Sequence, residues 1–261
     1  MQYAFCLEML YTELPFADRL AAAQKDGIRS IEIWDWRDKD LPGLSAQLSD
    51  LNMTIHNMSG NRCFGMIEPY ERQDFLNELQ ETGDVAKRLG CPMLMLLPQP
   101  LLQDGRGKPL STDLSAREKI DQMIACGKEA ARIADHLSLD LVIEPLNTVR
   151  DHPGFFLNSS HVAFRIISAI NHPRVTFLYD IYHMAMMEED VLRDIRDNLD
   201  KIGHLHVADK PGRHEPGSGE IDFSAILSLL QALNYDGTVG FEFTPSRGDS
   251  HLSVKKALEV F

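Results

Sequence analysis

Short apolar runs alternate with amphipathic segments along the whole chain of 261 residues. Each run has the length of a strand, and the segments between the runs carry apolar residues at the three- and four-residue spacing of a helix. Eight runs are predicted as strands: residues 3–9, 30–35, 53–59, 93–98, 139–146, 175–181, 202–209 and 237–245. Strands that alternate with helices in this way predict an α/β fold built around a parallel sheet.

The number of predicted strands favours a closed barrel over an open sheet. A doubly wound open sheet would show the same alternation. Eight strands at roughly thirty-residue spacing are instead typical of a closed (β/α)8 barrel, the TIM barrel. No linker, low-complexity tract or longer repeat divides the chain, so we predict a single domain over residues 1–261. The longest connection, about residues 98–120, is expected to form a loop over the site.

The composition argues against several classes of partner. A net charge of −13 disfavours nucleic-acid binding, which usually needs a basic face. No segment reaches the roughly 18 to 20 apolar residues of a membrane span, and the N-terminus lacks the basic start of a signal peptide. Four scattered cysteines predict free thiols. We therefore expect a cytoplasmic protein that acts on a small molecule, while the sequence leaves open whether it forms a homo-oligomer.

Four consecutive predicted strands, the fifth to the eighth, carry a polar residue close to their C-terminal ends. These residues are Glu144, Asp180, His206 and Glu242. In a β/α barrel the C-terminal ends of the strands surround the active site, so the four side chains are expected to converge. Any one of them could instead cap a helix or pair with an arginine. No lysine or arginine lies within these four runs, however, and buried carboxylates need a positive partner.

A divalent cation would supply that positive charge. The set Glu144, Asp180, His206 and Glu242 offers mostly oxygen donors and one imidazole. Such a set suits Mn²⁺ or Mg²⁺, with Co²⁺ and Zn²⁺ as alternatives, better than a metal that prefers sulfur. The sequence therefore predicts a metal site at the mouth of the barrel.

Three cations near the strand ends are candidates for binding a substrate carboxylate or oxyanion. Lys210 and Arg213 lie in the glycine- and proline-rich loop after the seventh strand, and Arg62 follows the third. For Arg213 the alternative is a surface ion pair with Glu215 or Glu220. The two roles differ in where the guanidinium points, which the sequence does not specify.

Two histidines are further candidates for contact with the substrate. His183 follows Asp180 by three residues, so both side chains share one face if a helix begins there. His183 could then bond a substrate oxygen or orient a carboxylate, or it could simply cap the helix. His56, on the third predicted strand, is interpreted in the same two ways.

The segments that carry these residues resemble one known family. The stretches "IEPLN", "YDIYHM", "HVADKPGRHEPGSGEIDF" and "GFEFTP" are similar to those of the hydroxypyruvate isomerase family, within the xylose isomerase-like barrels. The N-terminal stretch "FCLEMLYTELPFADRLAAAQKDGIRSIEIW" is also similar, so the resemblance extends over nearly the whole chain. The "PGRHEPGSGEI" segment is quite specific, whereas the eight-strand pattern alone is not. The predicted metal positions also resemble those of ketose 3-epimerases and 2-oxo-tetronate isomerases.

The resemblance implies an isomerase that converts hydroxypyruvate into tartronate semialdehyde by moving a proton between adjacent carbons through an enediolate. It implies that Glu144 and Glu242 transfer the proton and also contact the metal, and that Asp180 and His206 are the other ligands. Some members of the family have glutamine at the position of His206, whereas the metal-dependent epimerases have histidine. His206 therefore favours a metal site and leaves the substrate less well defined.

Other functions are compatible with parts of the pattern. A ketose 3-epimerase or a 2-oxo-tetronate isomerase would use the same pair of glutamates on a different substrate. A metal phosphodiesterase of the endonuclease-like barrels would need more histidines and a basic face, which the net charge of −13 disfavours. A non-catalytic sugar-binding barrel would need no proton-transferring pair, so replacing Glu144 or Glu242 would change only its affinity.

Overall fold

The predicted strands form a closed parallel barrel in which each strand pairs with its neighbours in sequence order. The structure, a computed structural model, describes residues 1–261. The strands are β1 (Gln2–Cys6), β2 (Ser30–Ile33), β3 (Thr54–Ser59), β4 (Met93–Leu96), β5 (Asp140–Ile143), β6 (Val175–Asp180), β7 (Ile202–Val207) and β8 (Thr238–Phe241). Because β8 pairs in parallel with β1, the sheet has no edge. The predicted single-domain (β/α)8 barrel is confirmed, and the open doubly wound sheet is excluded.

One helix follows each strand except β6, which is followed by two. The helices are α1 (Phe16–Lys25), α2 (Leu41–Asp50), α3 (Arg72–Leu89), α4 (Ala116–Leu137), α5 (Ser160–Ile170), α6 (Ile181–Met186), α7 (Val191–Asn198), α8 (Phe223–Ala232) and α9 (Ser250–Val260). Ser115 begins α4 with a reciprocal pair of hydrogen bonds to Glu118. Asp222 accepts a hydrogen bond from the backbone N–H of Ala225, so it caps α8 as its position before an apolar stripe predicts.

Several strands end before the residues predicted from their apolar runs. β5 ends at Ile143 rather than at residue 146, and β8 ends at Phe241 rather than at residue 245. Buried apolar residues continue beyond the paired segments, Pro145 and Leu146 after β5 and Phe243 after β8, so burial without strand pairing produced the longer runs. As a result Glu144 and Glu242 stand directly after the last residue of their strands, at the rim of the barrel.

The strands of the barrel pack against the helices that surround them. One continuous cluster of 65 buried apolar residues includes residues of both the strands and the helices. Phe5 and Phe241, on the adjacent strands β1 and β8, stack with their ring centroids 4.4 Å apart. The interior, by contrast, contains buried polar side chains, among them Glu32, His204 and His206. Groups of this kind are buried only where they are hydrogen-bonded or paired, so each needs a hydrogen-bond partner or an opposite charge.

The connection between β4 and α4 lies over the C-terminal end of the barrel, as predicted, although α4 already begins at Ala116. Its residues that line the cavity there are Leu101, Leu102, Gln103 and Gly105. The carboxylate of Glu68 anchors this loop by accepting hydrogen bonds from the backbone N–H groups and hydroxyls of Ser111 and Thr112. The loop is therefore tied to the segment between β3 and α3.

None of the helices combines the length and the apolar character that a membrane span requires. All four cysteines, Cys6, Cys63, Cys91 and Cys126, are free thiols, as predicted. The fold is therefore stabilised by packing and hydrogen bonding without any disulfide.

Candidate active site

Buried carboxylates and imidazoles converge at the C-terminal end of the barrel. Glu144, Asp180, His183 and Glu242 each place one oxygen or nitrogen atom within 4.8 Å of those of the other three. His206 lies beside them, with its Nδ1 atom 3.7 Å from Glu144 Oε1 and 3.7 Å from Glu242 Oε2. All five side chains are buried. The strand-end residues singled out in the sequence therefore meet at one site, and His183 joins them.

The barrel brings these residues together through the alternation of side chains along each strand. Asp180, the last residue of β6, pairs with His206 on β7, and His206 pairs with Gly240 on β8. Gly240 leaves the space between them open. A Cβ atom there would lie 2.6 Å from His206 Cδ2 and 2.5 Å from Glu32 Oε1. Any side chain at position 240 would therefore displace the histidine or the carboxylate.

A carboxylate from β2 holds His206 from within the barrel. The two oxygens of Glu32 lie 2.7 Å from His206 Nε2 and 2.7 Å from His204 Nε2. A carboxylate only accepts hydrogen bonds, so each histidine donates an Nε2 proton to it. The nitrogen of His206 that faces Glu144 and Glu242 is therefore Nδ1. The sequence places Glu32 on the second predicted strand but does not predict its contact with His206, because the two residues are 174 positions apart along the chain.

His183 has the opposite arrangement of its ring nitrogens. The backbone N–H and the side-chain amide of Asn147 approach His183 Nδ1 at 3.3 Å and 2.7 Å. A backbone N–H can only donate, so Nδ1 accepts and the proton of the neutral ring is on Nε2. Burial lowers the pKa of His183 well below its ordinary value, which keeps the ring neutral. His183 is therefore a hydrogen-bond donor toward the site and is unsuited to bind a metal through Nε2.

Two residues that contribute to the site are missed by sequence reasoning, although both lie in segments that it considered. Asn147 stands in the "IEPLN" stretch and is fully buried against His183. Trp34, directly after β2, donates its Nε1 proton to Glu242 Oε1 at 2.7 Å. For both residues, the signal available in the sequence was their position close to the end of a predicted strand.

Arg213 turns into the site and does not form the alternative surface ion pair. Its guanidinium contacts Glu242 Oε2, and its side chain is only 15% exposed. Neither Glu215 nor Glu220 is its partner. The backbone of Arg213 has a φ of +56°, a conformation that is strained for a residue with a Cβ atom. Such strain is often found where a side chain is held in place for function.

Burial and neighbouring charge separate the pKa values of the two glutamates. Burial raises the pKa of Glu144 to about 7, against a smaller opposing effect of His206. Burial also acts to raise the pKa of Glu242, but Arg213 and His206 together outweigh it and hold this pKa below its ordinary value. The pKa of Asp180 is raised to about 6, chiefly by burial. Without a cation, Glu242 is therefore ionised, while the other two carboxyls take up protons near neutral pH.

The other two cations predicted to bind substrate, Arg62 and Lys210, differ in their position relative to the cavity. Arg62 lines the cavity, and its guanidinium forms no ion pair with any carboxylate. Lys210 lies outside the cavity, with its Nζ atom 3.9 Å from Glu220. Lys210 stands close after the end of β7, but its side chain lies beside Glu220 and does not line the cavity. The expected contact between Lys210 and the substrate is therefore not supported by its position.

His56 lies too deep in the barrel to reach the site. It is three residues before the end of β3 (Thr54–Ser59), which places it about 10 Å below the rim at 3.3 Å per residue. It lines a depression with Gln2 and Ser30, which belong to the N-terminal ends of their strands. Its ring packs against His204 with 5.2 Å between the centroids. The expectation that His56 contacts the substrate is corrected, because its strand carries it toward the opposite end of the barrel.

The site opens into a cavity of about 180 Å³. This volume is below the roughly 300 to 1,000 Å³ of sites for drug-sized ligands, so the cavity suits a small metabolite. Met95, Leu97 and Leu146 form apolar parts of the wall. The polar parts include Glu144, Glu242 and Arg213.

Several atoms that face one another in the site have no hydrogen-bond partner in the protein. They are Glu144 Oε1, Asp180 Oδ2, His183 Nε2 and His206 Nδ1, and all are buried. Buried polar atoms without partners are rare, because leaving them unpaired is unfavourable. Three carboxylates and the Nδ1 atom of one imidazole are the donors that Mn²⁺ or Mg²⁺ accepts. The residues present therefore fit a divalent cation.

Known proteins similar to this chain match it over nearly its whole length. The family model for xylose isomerase-like TIM barrels matches residues 20–261. A putative hydroxypyruvate isomerase from Danio rerio is 31% identical, covering 92% of this chain and 90% of its own. The hydroxypyruvate isomerase of Escherichia coli (strain K12) is 29% identical over 94% of each chain. The 2-oxo-tetronate isomerase of Cupriavidus necator is 28% identical over 95% of each chain.

Solved structures share the architecture. The crystal structure of AP endonuclease, family 2, from Brucella melitensis aligns with a TM-score of 0.86 and 25% identity, covering 99% of this chain and 98% of that one. D-psicose 3-epimerase with D-tagatose, from Clostridium cellulolyticum H10, aligns with a TM-score of 0.81 and 16% identity, covering 100% and 96%. The IOLI protein with a bound zinc atom aligns with a TM-score of 0.79 and 17% identity, covering 100% and 96%. At their low identities, the last two show the shared fold alone.

Proposed function

The chain belongs to the xylose isomerase-like TIM barrel family and is an isomerase, and we propose that its substrate is a small hydroxy-carbonyl acid. Relatives over nearly the full length are named for two such substrates, hydroxypyruvate and 2-oxo-tetronate. The cavity of about 180 Å³ is of a size that suits either acid. Arg62, a cation in its wall without a carboxylate partner, supports binding of an acid rather than of a neutral sugar.

One observation carries the proposed chemistry: Glu144 and Glu242 each lie 3.7 Å from the same atom, His206 Nδ1. Isomerisation of a hydroxy-carbonyl compound needs one group that removes a proton from carbon and one that returns it to the adjacent carbon. Two carboxylates that face one small cavity can do both.

A divalent cation completes this proposal. Glu144, Asp180 and Glu242 would hold it with oxygen atoms that converge in the site. His206 would add its Nδ1 atom, which lies 3.7 Å from both Glu144 and Glu242 and has no partner in the protein. When bound, such a cation polarises the carbonyl group of a substrate and stabilises negative charge on its oxygen. The donor set favours Mn²⁺ or Mg²⁺, with Co²⁺ and Zn²⁺ as alternatives.

The residues of the chain then move and position the proton. One glutamate removes a proton from the carbon that bears the hydroxyl group, and the resulting enediolate receives a proton at the former carbonyl carbon. The hydroxyl oxygen gives up its proton and the former carbonyl oxygen gains one, so the carbonyl and hydroxyl groups exchange places. Because the reaction is reversible, the base of one direction is the acid of the other. Trp34 and Arg213 hold Glu242 in position. His183 donates its Nε2 proton to a substrate oxygen, since Asn147 occupies its other nitrogen.

The proposal is tested by assaying the purified protein, supplied with Mn²⁺ or Mg²⁺, against hydroxypyruvate, 2-oxo-tetronates and free ketoses. Formation of the isomeric hydroxy-carbonyl acid, identified by NMR, is the expected result. Inversion at carbon 3 of a free ketose, without turnover of any acid, would replace the proposal by a 3-epimerase. Binding of sugars without turnover or hydrogen exchange would indicate a sugar-binding barrel.

A further inference from the structure

His152 is a buried histidine in the cavity wall that the proposed chemistry does not use. It lies between β5 and α5 and is 8% exposed. Its Nδ1 atom lies 2.8 Å from the carbonyl oxygen of Gly105, in the loop over the cavity. Its ring packs edge-on against that of His183, with 5.2 Å between the centroids. His152 therefore connects the covering loop to a residue that faces the substrate.

The contact with Gly105 determines what the other ring nitrogen can do. A carbonyl oxygen only accepts hydrogen bonds, so the ring proton of His152 is on Nδ1. Nε2 is then a lone-pair acceptor, and it is buried without a partner in the protein. Unpaired buried acceptors are unfavourable, so this atom needs a donor from elsewhere. Because His152 lines the cavity, a hydroxyl group on a bound ligand can supply that donor.

Arg62 lines the same cavity. Its guanidinium is a donor that needs an acceptor, whereas Nε2 of His152 is an acceptor that needs a donor. Its guanidinium has no carboxylate partner, whereas that of Arg213 is paired with Glu242. The cavity thus contains an unpaired cation and an unpaired acceptor in addition to the reacting glutamates. Small-molecule sites use a few such polar groups to fix the orientation of the ligand.

We propose that His152 is a specificity residue that accepts a hydrogen bond from a substrate hydroxyl, so that the site selects hydroxy-keto acids of four or more carbons. This inference rests on the proposed isomerase function. In a three-carbon acid such as hydroxypyruvate, the carbonyl and the hydroxyl belong to the reacting centre, and the carboxylate is the group for Arg62. A four-carbon acid such as a 2-oxo-tetronate has one more hydroxyl, which is the donor that His152 lacks.

Two substitutions at one position test this role. Asparagine keeps an N–H near the position of Nδ1, where it can bond the Gly105 carbonyl, but removes the acceptor at Nε2. Glutamine instead places an amide oxygen near the position of Nε2. We expect His152→Asn to lower the ratio of kcat/KM for 2-oxo-tetronate to that for hydroxypyruvate by about 10- to 100-fold. His152→Gln should recover part of this ratio, and Lys210→Ala, outside the cavity, should leave it unchanged.

Binding of unreactive analogues gives a readout that does not depend on turnover. Wild-type protein should bind 2,3,4-trihydroxybutanoate more tightly than glycerate in calorimetric titrations, and His152→Asn should largely remove the difference. If His152→Asn does not fold, the wild-type comparison of these two ligands still tests whether the site prefers the longer acid. An equal loss for both chain lengths, or a wild-type protein without preference for the longer acid, would overturn the role of His152 while leaving the isomerase proposal intact. Failure to turn over any hydroxy-keto acid would instead refute the proposed function itself.

Discussion

Glu32 Oε2 lies 2.7 Å from His206 Nε2, and this contact decides which nitrogen of His206 faces Glu144 and Glu242. With the proton of Nε2 donated to Glu32, Nδ1 is the nitrogen that can bind a cation. The second oxygen of Glu32 accepts from His204 in the same way, so the carboxylate cannot rotate without losing a hydrogen bond. His206 is therefore oriented by a residue that lies across the barrel interior.

Replacing Glu32 by glutamine tests this orientation. The amide has one acceptor oxygen in place of two, so it can satisfy only one of the two histidines. We expect the dissociation constant for Mn²⁺ to rise by about 10- to 100-fold, as is usual when a residue that orients a metal ligand is changed. Calorimetric titration of metal-free protein measures the effect. Glu220→Gln, at a carboxylate whose side chain is 68% exposed, is the control, and equal affinities in the two variants would remove Glu32 from this role.

Removing the cation should affect both stability and turnover. A ligand present at 100 times its Kd stabilises the native state by about 2.7 kcal/mol, which corresponds to about 5 to 10 °C in Tm for a chain of this size. A chelator should therefore lower the Tm by this amount and abolish activity. His206→Gln should reduce the metal-dependent shift while the fold is retained. Full activity in protein shown to be metal-free by elemental analysis would contradict the prediction.

Isotope exchange should distinguish the roles of Glu144 and Glu242 as base and acid. Glu144→Gln and Glu242→Gln are each expected to reduce kcat by about 10² to 10⁴, because an amide cannot transfer the proton. In D₂O, the variant that lacks the base should lose exchange of the carbon-bound hydrogen as well as product formation. The variant that lacks only the acid should retain exchange, as followed by NMR. Wild-type kcat in either variant would exclude that glutamate from the mechanism.

Arg62 and Lys210 form a matched pair of cations, one inside the cavity and one outside it. Arg62→Ala should reduce kcat/KM for a carboxylate substrate by about 10- to 150-fold, because a charge-assisted hydrogen bond is lost. Arg62→Lys should restore only part of it, since lysine lacks the planar fork. Lys210→Ala should have no measurable effect on the same substrate. The assignment fails if both alanine variants behave alike.

Glu68 should make a pH-dependent contribution to stability. Burial alone would raise its pKa, but hydrogen bonds from Thr112 and Ser111 outweigh burial and hold the pKa below its ordinary value. A group with a lowered pKa in the folded state stabilises it above the unfolded pKa, about 4.3 for glutamate, and loses this effect as the pH falls through the folded value. Glu68→Gln should therefore lower the Tm at about pH 7 and approach the wild type below about pH 4. Thermal unfolding across this range measures it, and a pH-independent difference would show that the charge contributes nothing.

The barrel and the main candidates for its active site could be predicted from sequence because both depend on periodic, local patterns. Apolar runs of strand length alternate with helical spacing, and only a closed sheet accommodates eight such units without exposed edges. Strand alternation and the position at the C-terminal ends then place Glu144, Asp180, His206 and Glu242 on the same side. Strand ends were less well predicted, because buried loop residues carry the same apolar signal as the strands that precede them.

The tertiary structure alone decided which partner each polar group has. Glu32 and His206 are 174 residues apart, and only closure of the barrel brings them into contact. Arg213 could have paired with a neighbour in its own loop, yet the backbone turn at φ +56° directs it to Glu242. His56 occupies a strand that reaches the site, but its depth places it near the opposite end. Proton positions, pKa values and the reach of a side chain depend on distances across the fold, and these are not encoded in the spacing of residues along a single strand.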